Sequence, residues 1–114
     1  MQVEHILQNK VMVEVSKAGY TPYRMAVGLY YTKQLTPIKV GIDGTPDLLV
    51  LKNNGGVFWI EMKTEEKGSR LRNDQERYHT FLNSINHRVY VVRSIEDIQK
   101  VIKIEKERDN LCNL

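Results

Sequence analysis

Three charged residues, Asp47, Glu61 and Lys63, interrupt two apolar runs in the middle of this chain, within GTPDLLVLKNNGGVFWIEMK at residues 44–63. Asp47 to Leu51 and Val57 to Met62 read as two extended runs separated by Asn53-Asn54-Gly55-Gly56. Asn and Gly tolerate the positive φ that tight hairpin turns demand, so two antiparallel strands are predicted. Side chains alternate along a strand, which places Glu61 and Lys63 on one face, about 7 Å apart along the chain. Two carboxylates bind a hard cation such as Mg²⁺ through oxygen, and a neighbouring ammonium can orient or help deprotonate an attacking water. The pattern points to a metal-dependent nuclease core. The bland alternative makes Asp47 a turn cap and Glu61–Lys63 a solvated pair on an edge strand, which contributes little. Context weighs against it. Leu48-Leu49-Val50-Leu51 is apolar on both faces, the mark of a buried central strand, where charges are costly unless they serve something. Pro46 fixes the approach to Asp47, and Gly44 frees the backbone before it.

Parity sets a condition on this reading. Residues directly opposite in an antiparallel pair project on the same face. A two-residue loop at Asn54-Gly55 sets Asp47 opposite Met62, facing away from Glu61 and Lys63, and a four-residue loop from Asn53 to Gly56 keeps that register. The three residues can share a site only with a three- or five-residue loop, a β-bulge, or an Asp47 that sits just outside the ladder. The consecutive glycines supply the left-handed residue that a three-residue loop requires.

The flanking elements have to carry these residues. Val3, Leu7, Val11 and Val15 form an apolar stripe over a helix at residues 3–18, which Gly19 stops. Glu4 falls within the arc of that stripe; it either suits the positive end of the helix dipole or reaches the acidic pair, directly or through water. From Thr21 to Ile42 the chain alternates and is rich in aromatic and β-branched residues, fitting two strands with a turn near Thr32-Lys33-Gln34 and Pro37 opening the second. Arg24 and the tyrosines there are either ordinary sheet residues or contacts for phosphates and bases. After the polar segment at residues 64–70 a second helix is predicted over Asn73 to Ser84, with Asn73 and Glu76 as a capping box and Leu71, Tyr78, Phe81, Leu82 and Ile85 as its apolar positions. Gln75 faces inward on that register, where it either satisfies backbone groups or positions water or phosphate. His5, His79 and His87 show no ligand spacing and read as surface residues. His87 to Val92 is a compact strand, and Ser94 caps a third helix buried through Ile95, Ile98, Val101 and Ile102. Beyond Lys103 the charged sequence is expected to fray.

Composition bounds the rest. The chain has 114 residues, 41% hydrophobic and 27% charged, which suits one globular domain at residues 1–114 and is too apolar for disorder. A net charge of +3 and a pI near 9.0 permit a polyanionic partner. The single cysteine, Cys112, excludes a disulfide framework within the chain and a thiolate metal site. The first residues lack a basic segment followed by an apolar run, so a reduced, cytoplasmic location is expected, with no membrane.

GTPDLLVL, FWIEMK, the DQERYH helix and RVYVVRSIEDI stand in an order and spacing similar to those of the VRR-NUC nucleases, within the PD-(D/E)xK superfamily. One departure is Arg72-Asn73, where the family often has Ser or Thr and then Pro opening the glutamine helix. The resemblance implies a restriction-endonuclease-like α/β fold, a central mixed β-sheet flanked by helices in the order α-β-β-β-β-α-β-α. It implies that Asp47 and Glu61 are metal ligands, with the Met62 backbone carbonyl completing the sphere, that Lys63 is the catalytic lysine, and that Glu4 and Gln75 match the family's helix glutamate and glutamine. It further implies Mg²⁺ or Mn²⁺ as cofactor, branched DNA such as Holliday junctions as substrate, a homodimer, and the stand-alone type found in bacteriophages and prophages, acting in a bacterial host cell. Arg24, Lys67, Arg70 and Arg72 are the candidate DNA contacts. Two alternatives stand beside this: a basic module that grips structured nucleic acid without cutting it, and a nicking nuclease acting on ordinary duplex. No DNA-recognition helix or zinc module is readable, which argues against sequence-specific recognition.

Overall fold

The computed structural model describes residues 3–64 and 70–112. A helix, α1 (Val3–Lys17), is followed by strands β1 (Thr21–Arg24), β2 (Gly28–Tyr31), β3 (Pro37–Val40), β4 (Leu48–Leu51) and β5 (Val57–Met62), then α2 (Asn73–Ser84), β6 (Val89–Val92) and α3 (Ile95–Cys112). Four strands make one sheet in the order β1-β4-β5-β6, and β2 pairs with β3 in a separate two-stranded ribbon. β1–β4 and β4–β5 are antiparallel, while β5–β6 is parallel and crosses over through α2, so the sheet is mixed.

Strand alternation divides the sheet into two chemically different faces. Leu48, Val50, Phe58, Ile60, Met62 and Val92 turn to one side and are buried with Val11 and Val15 of α1 and Ile98 and Val101 of α3. Residues of opposite parity on β5, Trp59 and Glu61, followed by Lys63 just past the strand, turn to the other side, where α2 buries Gln75, His79 and Leu82. The apolar layer supplies the burial that holds the sheet together. The second face is where polar groups gather.

Several sequence expectations meet a different outcome. The region from Thr21 to Ile42 holds three strands instead of two, giving an order of α-β-β-β-β-β-α-β-α. β1 joins the central sheet beside β4, and only β2 and β3 form the expected hairpin, with Pro37 opening β3. Pro22 interrupts no pairing that the sheet needs, because β1 lies at its edge. The helix predicted to fray after Lys103 continues to Cys112, because Glu105 and Asp109 are anchored: Lys52 Nζ lies 2.7 Å from Glu105 and 2.6 Å from Asp109, and Arg88 Nε lies 2.7 Å from Glu105. The start of α2 also differs. Arg72 is the N-cap residue in extended conformation, and its N–H donates to Gln75 Oε1 at 2.9 Å, so the glutamine performs the capping expected of the Asn73–Glu76 pair.

Candidate functional site

The hairpin between β4 and β5 decides whether the three charged residues meet. Its register pairs Leu48 with Ile60 and Leu51 with Val57. The Lys52 N–H donates to the Gly56 carbonyl at 2.9 Å, and Gly55 takes φ +88°. The loop is therefore Asn53-Asn54-Gly55, three residues with a left-handed glycine. Counted outward, this register sets Asp47 opposite Glu61, on the face that also carries Lys63. Asp47 stands just beyond the ladder, where its backbone carbonyl accepts the Met25 N–H at 2.9 Å and its Oδ2 accepts the Met62 N–H at 2.7 Å. The carboxylate is thus tied to the backbone next to Glu61.

The α2 helix closes the site from above the sheet. Gly44, at φ +89°, lies so close to the helix start that a Cβ there would stand 2.2 Å from the Asp74 carbonyl oxygen. Only glycine accepts both that φ and that approach, so the turn before Asp47 and the start of α2 are held together. Gln75 and His79 follow on the inward face, one helical turn apart. His79 Nε2 lies 3.2 Å from Glu61 Oε1, with both residues buried. Burial lowers the His79 pKa, the Lys63 ammonium adds to the effect and Asp47 opposes it. Trp59, on the same face, donates its Nε1–H to His87 Nδ1 at 2.8 Å.

Asp47, Glu61 and Lys63 therefore share one face of the sheet, and Gln75 is buried on the helix that covers it. His79, expected at the surface, is 7% exposed inside the site; His87 is half-buried against Trp59, and His5 is exposed. The expected apolar face of α2 is rotated as well, since Phe81 and Ile85 are exposed while Gln75, His79 and Leu82 are inward. A helix covering Glu61 and Lys63 matches them with polar side chains, which a count of apolar positions misses. The one available signal was spacing: Gln75, His79 and Leu82 lie at i, i+4 and i+7. The Glu4 side chain and Lys67 lie outside the described residues. Arg24, Arg70 and Arg72 are exposed; Arg24 bonds Asn9, and Arg72 pairs with Asp74 at 3.3 Å.

Among the described residues, no group of three or more His, Cys, Asp or Glu side chains is placed to hold a metal ion. The fold presents a carboxylate pair, Asp47 and Glu61, set opposite each other beside the Met62 backbone. Oxygen donors of this kind suit a hard divalent cation and no soft one. The residues present therefore fit such an ion.

A model of the VRR-NUC domain family matches residues 8–96. Among solved structures, one described as a VRR_NUC domain is similar over 88% of this chain and 94% of its own, with 21% identity and a TM-score of 0.66. No curated protein matches.

Proposed function

From the premise that the chain belongs to the VRR-NUC domain family of nucleases, which act on DNA, we propose that it is a divalent-metal-dependent endonuclease that hydrolyses phosphodiester bonds in branched DNA, with four-way junctions as the preferred substrate. The observation that carries this reading is the hairpin register, which sets Asp47 opposite Glu61 with Lys63 following on the same face. Nucleases of this type generally use divalent metal ions. Asp47, Glu61 and the Met62 carbonyl are the groups to hold one, which when bound would polarise the phosphate and lower the pKa of an attacking water.

The remaining steps belong to the chain itself. The Met62 N–H on Asp47 Oδ2 holds that carboxylate at one angle. Lys63 brings an ammonium beside the anionic pair, where it orients the attacking water and offsets charge on the scissile phosphate. Gln75 spends its Oε1 on the Arg72 N–H, and its amide nitrogen remains the donor for water or a phosphate oxygen. Arg24, Arg70 and Arg72 are exposed cations for the DNA backbone.

End-labelled four-way junction, flap and linear duplex, each incubated with and without Mg²⁺ or Mn²⁺, test the proposal. The expected result is ion-dependent cleavage, strongest on the four-way junction. Binding without cleavage under every condition would make the chain a binding module, and equal cutting of linear duplex would make it a nicking nuclease.

We further infer a homodimer, in which two symmetry-related sites address two strands of one junction. The β2–β3 ribbon stands apart from the central sheet and exposes Leu29, Tyr30, Tyr31, Leu35 and Ile38, apolar area suited to a second copy. Light scattering at micromolar concentration is expected to return the mass of two chains; a monomer, with or without junction DNA, refutes this.

A further inference from the structure

Glu61 is 1% exposed, and one group that faces its Oε1 comes from a different element: the His79 ring on α2. A carboxylate that binds a metal ion is ionised and can only accept hydrogen bonds, so in that role Glu61 takes a hydrogen from the ring nitrogen 3.2 Å away. A glutamate side chain has three torsions to fix, and burial alone fixes none of them in one orientation. A donor on a packed helix does. The helix is itself fixed, because its first turn is seated on Gly44 and its N-cap N–H is held by Gln75. An inward histidine between Gln75 and Leu82 is also a poor choice for packing, since a buried polar ring costs free energy unless its nitrogen is used.

We propose that His79 is a positioning residue of this site: its Nε2–H holds the Glu61 carboxylate in the orientation in which Glu61 and Asp47 together take a divalent cation. This rests on the acidic pair being the metal site, and it assigns a role to a residue outside the set that the family resemblance carries over. The histidine does not touch the ion. It acts on the ligand, as outer partners of metal-binding groups do, and losing such a partner weakens metal affinity by about 10–100-fold.

The experiment measures Mn²⁺ binding to metal-free protein, following free Mn²⁺ by electron paramagnetic resonance, with no DNA present. It compares wild type, Glu61→Gln, His79→Leu and His79→Gln, and thermal melting of each metal-free protein reports folding. His79→Leu is expected to bind Mn²⁺ about 10–100-fold more weakly, while His79→Gln, whose amide N–H reaches a similar point, returns affinity close to wild type. If His79→Leu does not fold, His79→Asn replaces it, since its shorter amide cannot reach Glu61, and the same weakening is expected. Wild-type affinity in the Leu or Asn variant overturns the inference. So does a His79→Gln protein as weak as His79→Leu, which would make the contact one of packing. Wild-type affinity in Glu61→Gln is a separate outcome: it removes the acidic pair as the metal site, and the proposed function with it.

Discussion

Lys63 leaves β5 with its backbone N–H donating to the Val92 carbonyl at 3.0 Å, so the base of its side chain is fixed by the parallel neighbour strand. The side chain rises on the Glu61 face and is buried, and its charge acts on His79 together with that of Asp47. On the function proposed above, removing it takes away positive charge where the transition state would develop negative charge, and one such group is commonly worth about 100-fold or more in rate. Lys63→Ala is therefore expected to lose at least about that factor in junction cleavage while binding junction DNA in Ca²⁺ as wild type does, read by gel shift beside the cleavage assay. An equal loss of both would make Lys63 a DNA-binding residue. At this scale the shared face of Asp47, Glu61 and Lys63 and the inward turn of Gln75 were legible in the sequence, because a strand's period of two and a helix's period of 3.6 leave little choice of face once an anchor residue is given. His79 was not. Its burial depends on what the opposing sheet face carries, and that is a property of two elements that meet only in space.

Elements were legible where the signal was local and lost where pairing was remote. The hairpin of β4 and β5 could be read as a condition, met by a three- or five-residue loop, a β-bulge or an Asp47 just outside the ladder, while the choice among these rests on Gly55 taking φ +88°. The central position of β4 followed from an apolar run with no polar alternation. By contrast, β1 pairs with β4 across 23 or more intervening positions, and nothing within Thr21–Arg24 marks it off from the ribbon that follows. The contact between Gly44 and α2 belongs to the same class: the glycine is visible in the sequence, its neighbour is not. Gly44→Ala should be severe for an exposed-looking loop change. It forces an L side chain to φ +89° and drives a Cβ to 2.2 Å from the Asp74 carbonyl, so the start of α2 has to move off the site. Strain of this kind costs about 1–3 kcal/mol. The expected outcome is a stability loss of that size by urea unfolding, together with cleavage lowered by more than the unfolded fraction explains. Unchanged stability and activity would show that the turn and helix are not coupled.

The whole molecule is tied across its apolar layer by an ionic network that no local pattern announces. Glu105 is fully buried, and its carboxylate accepts from Lys52 Nζ at 2.7 Å, Arg88 Nε at 2.7 Å and Nη2 at 2.9 Å, and the Tyr90 hydroxyl at 2.5 Å. One turn later Asp109 accepts from the Tyr20 hydroxyl at 2.8 Å and from Asn54 at 3.1 Å. The second half of α3 is thereby joined to the end of β4, to β6 and to the segment after α1. Read alone, residues 104–112 are a charged run without an apolar stripe, and only partners 15 or more positions away make them helix. Burial by itself would push the Glu105 carboxyl up, but the hydrogen bonds from Arg88, Lys52 and Tyr90 outweigh it and hold it at about 2, against an ordinary 4.5. A group held low in the folded protein is protonated first in the unfolded chain, so its contribution is complete above 4.5 and is lost as the pH falls toward 2. Breaking a buried ionic cluster by removing one member costs about 3–5 kcal/mol; here Arg88 loses its carboxylate and Lys52 keeps only Asp109. Glu105→Gln is accordingly expected to lower unfolding free energy by roughly that amount at neutral pH. Its deficit relative to wild type should then shrink by on the order of 2 kcal/mol by about pH 3, as wild type begins to protonate the same position. Urea unfolding of both proteins at the two pH values gives the measurement. A deficit that stays constant from neutral pH to acid would mean that Glu105 is not ionised in the folded protein, and the electrostatic account of how α3 is anchored would fail.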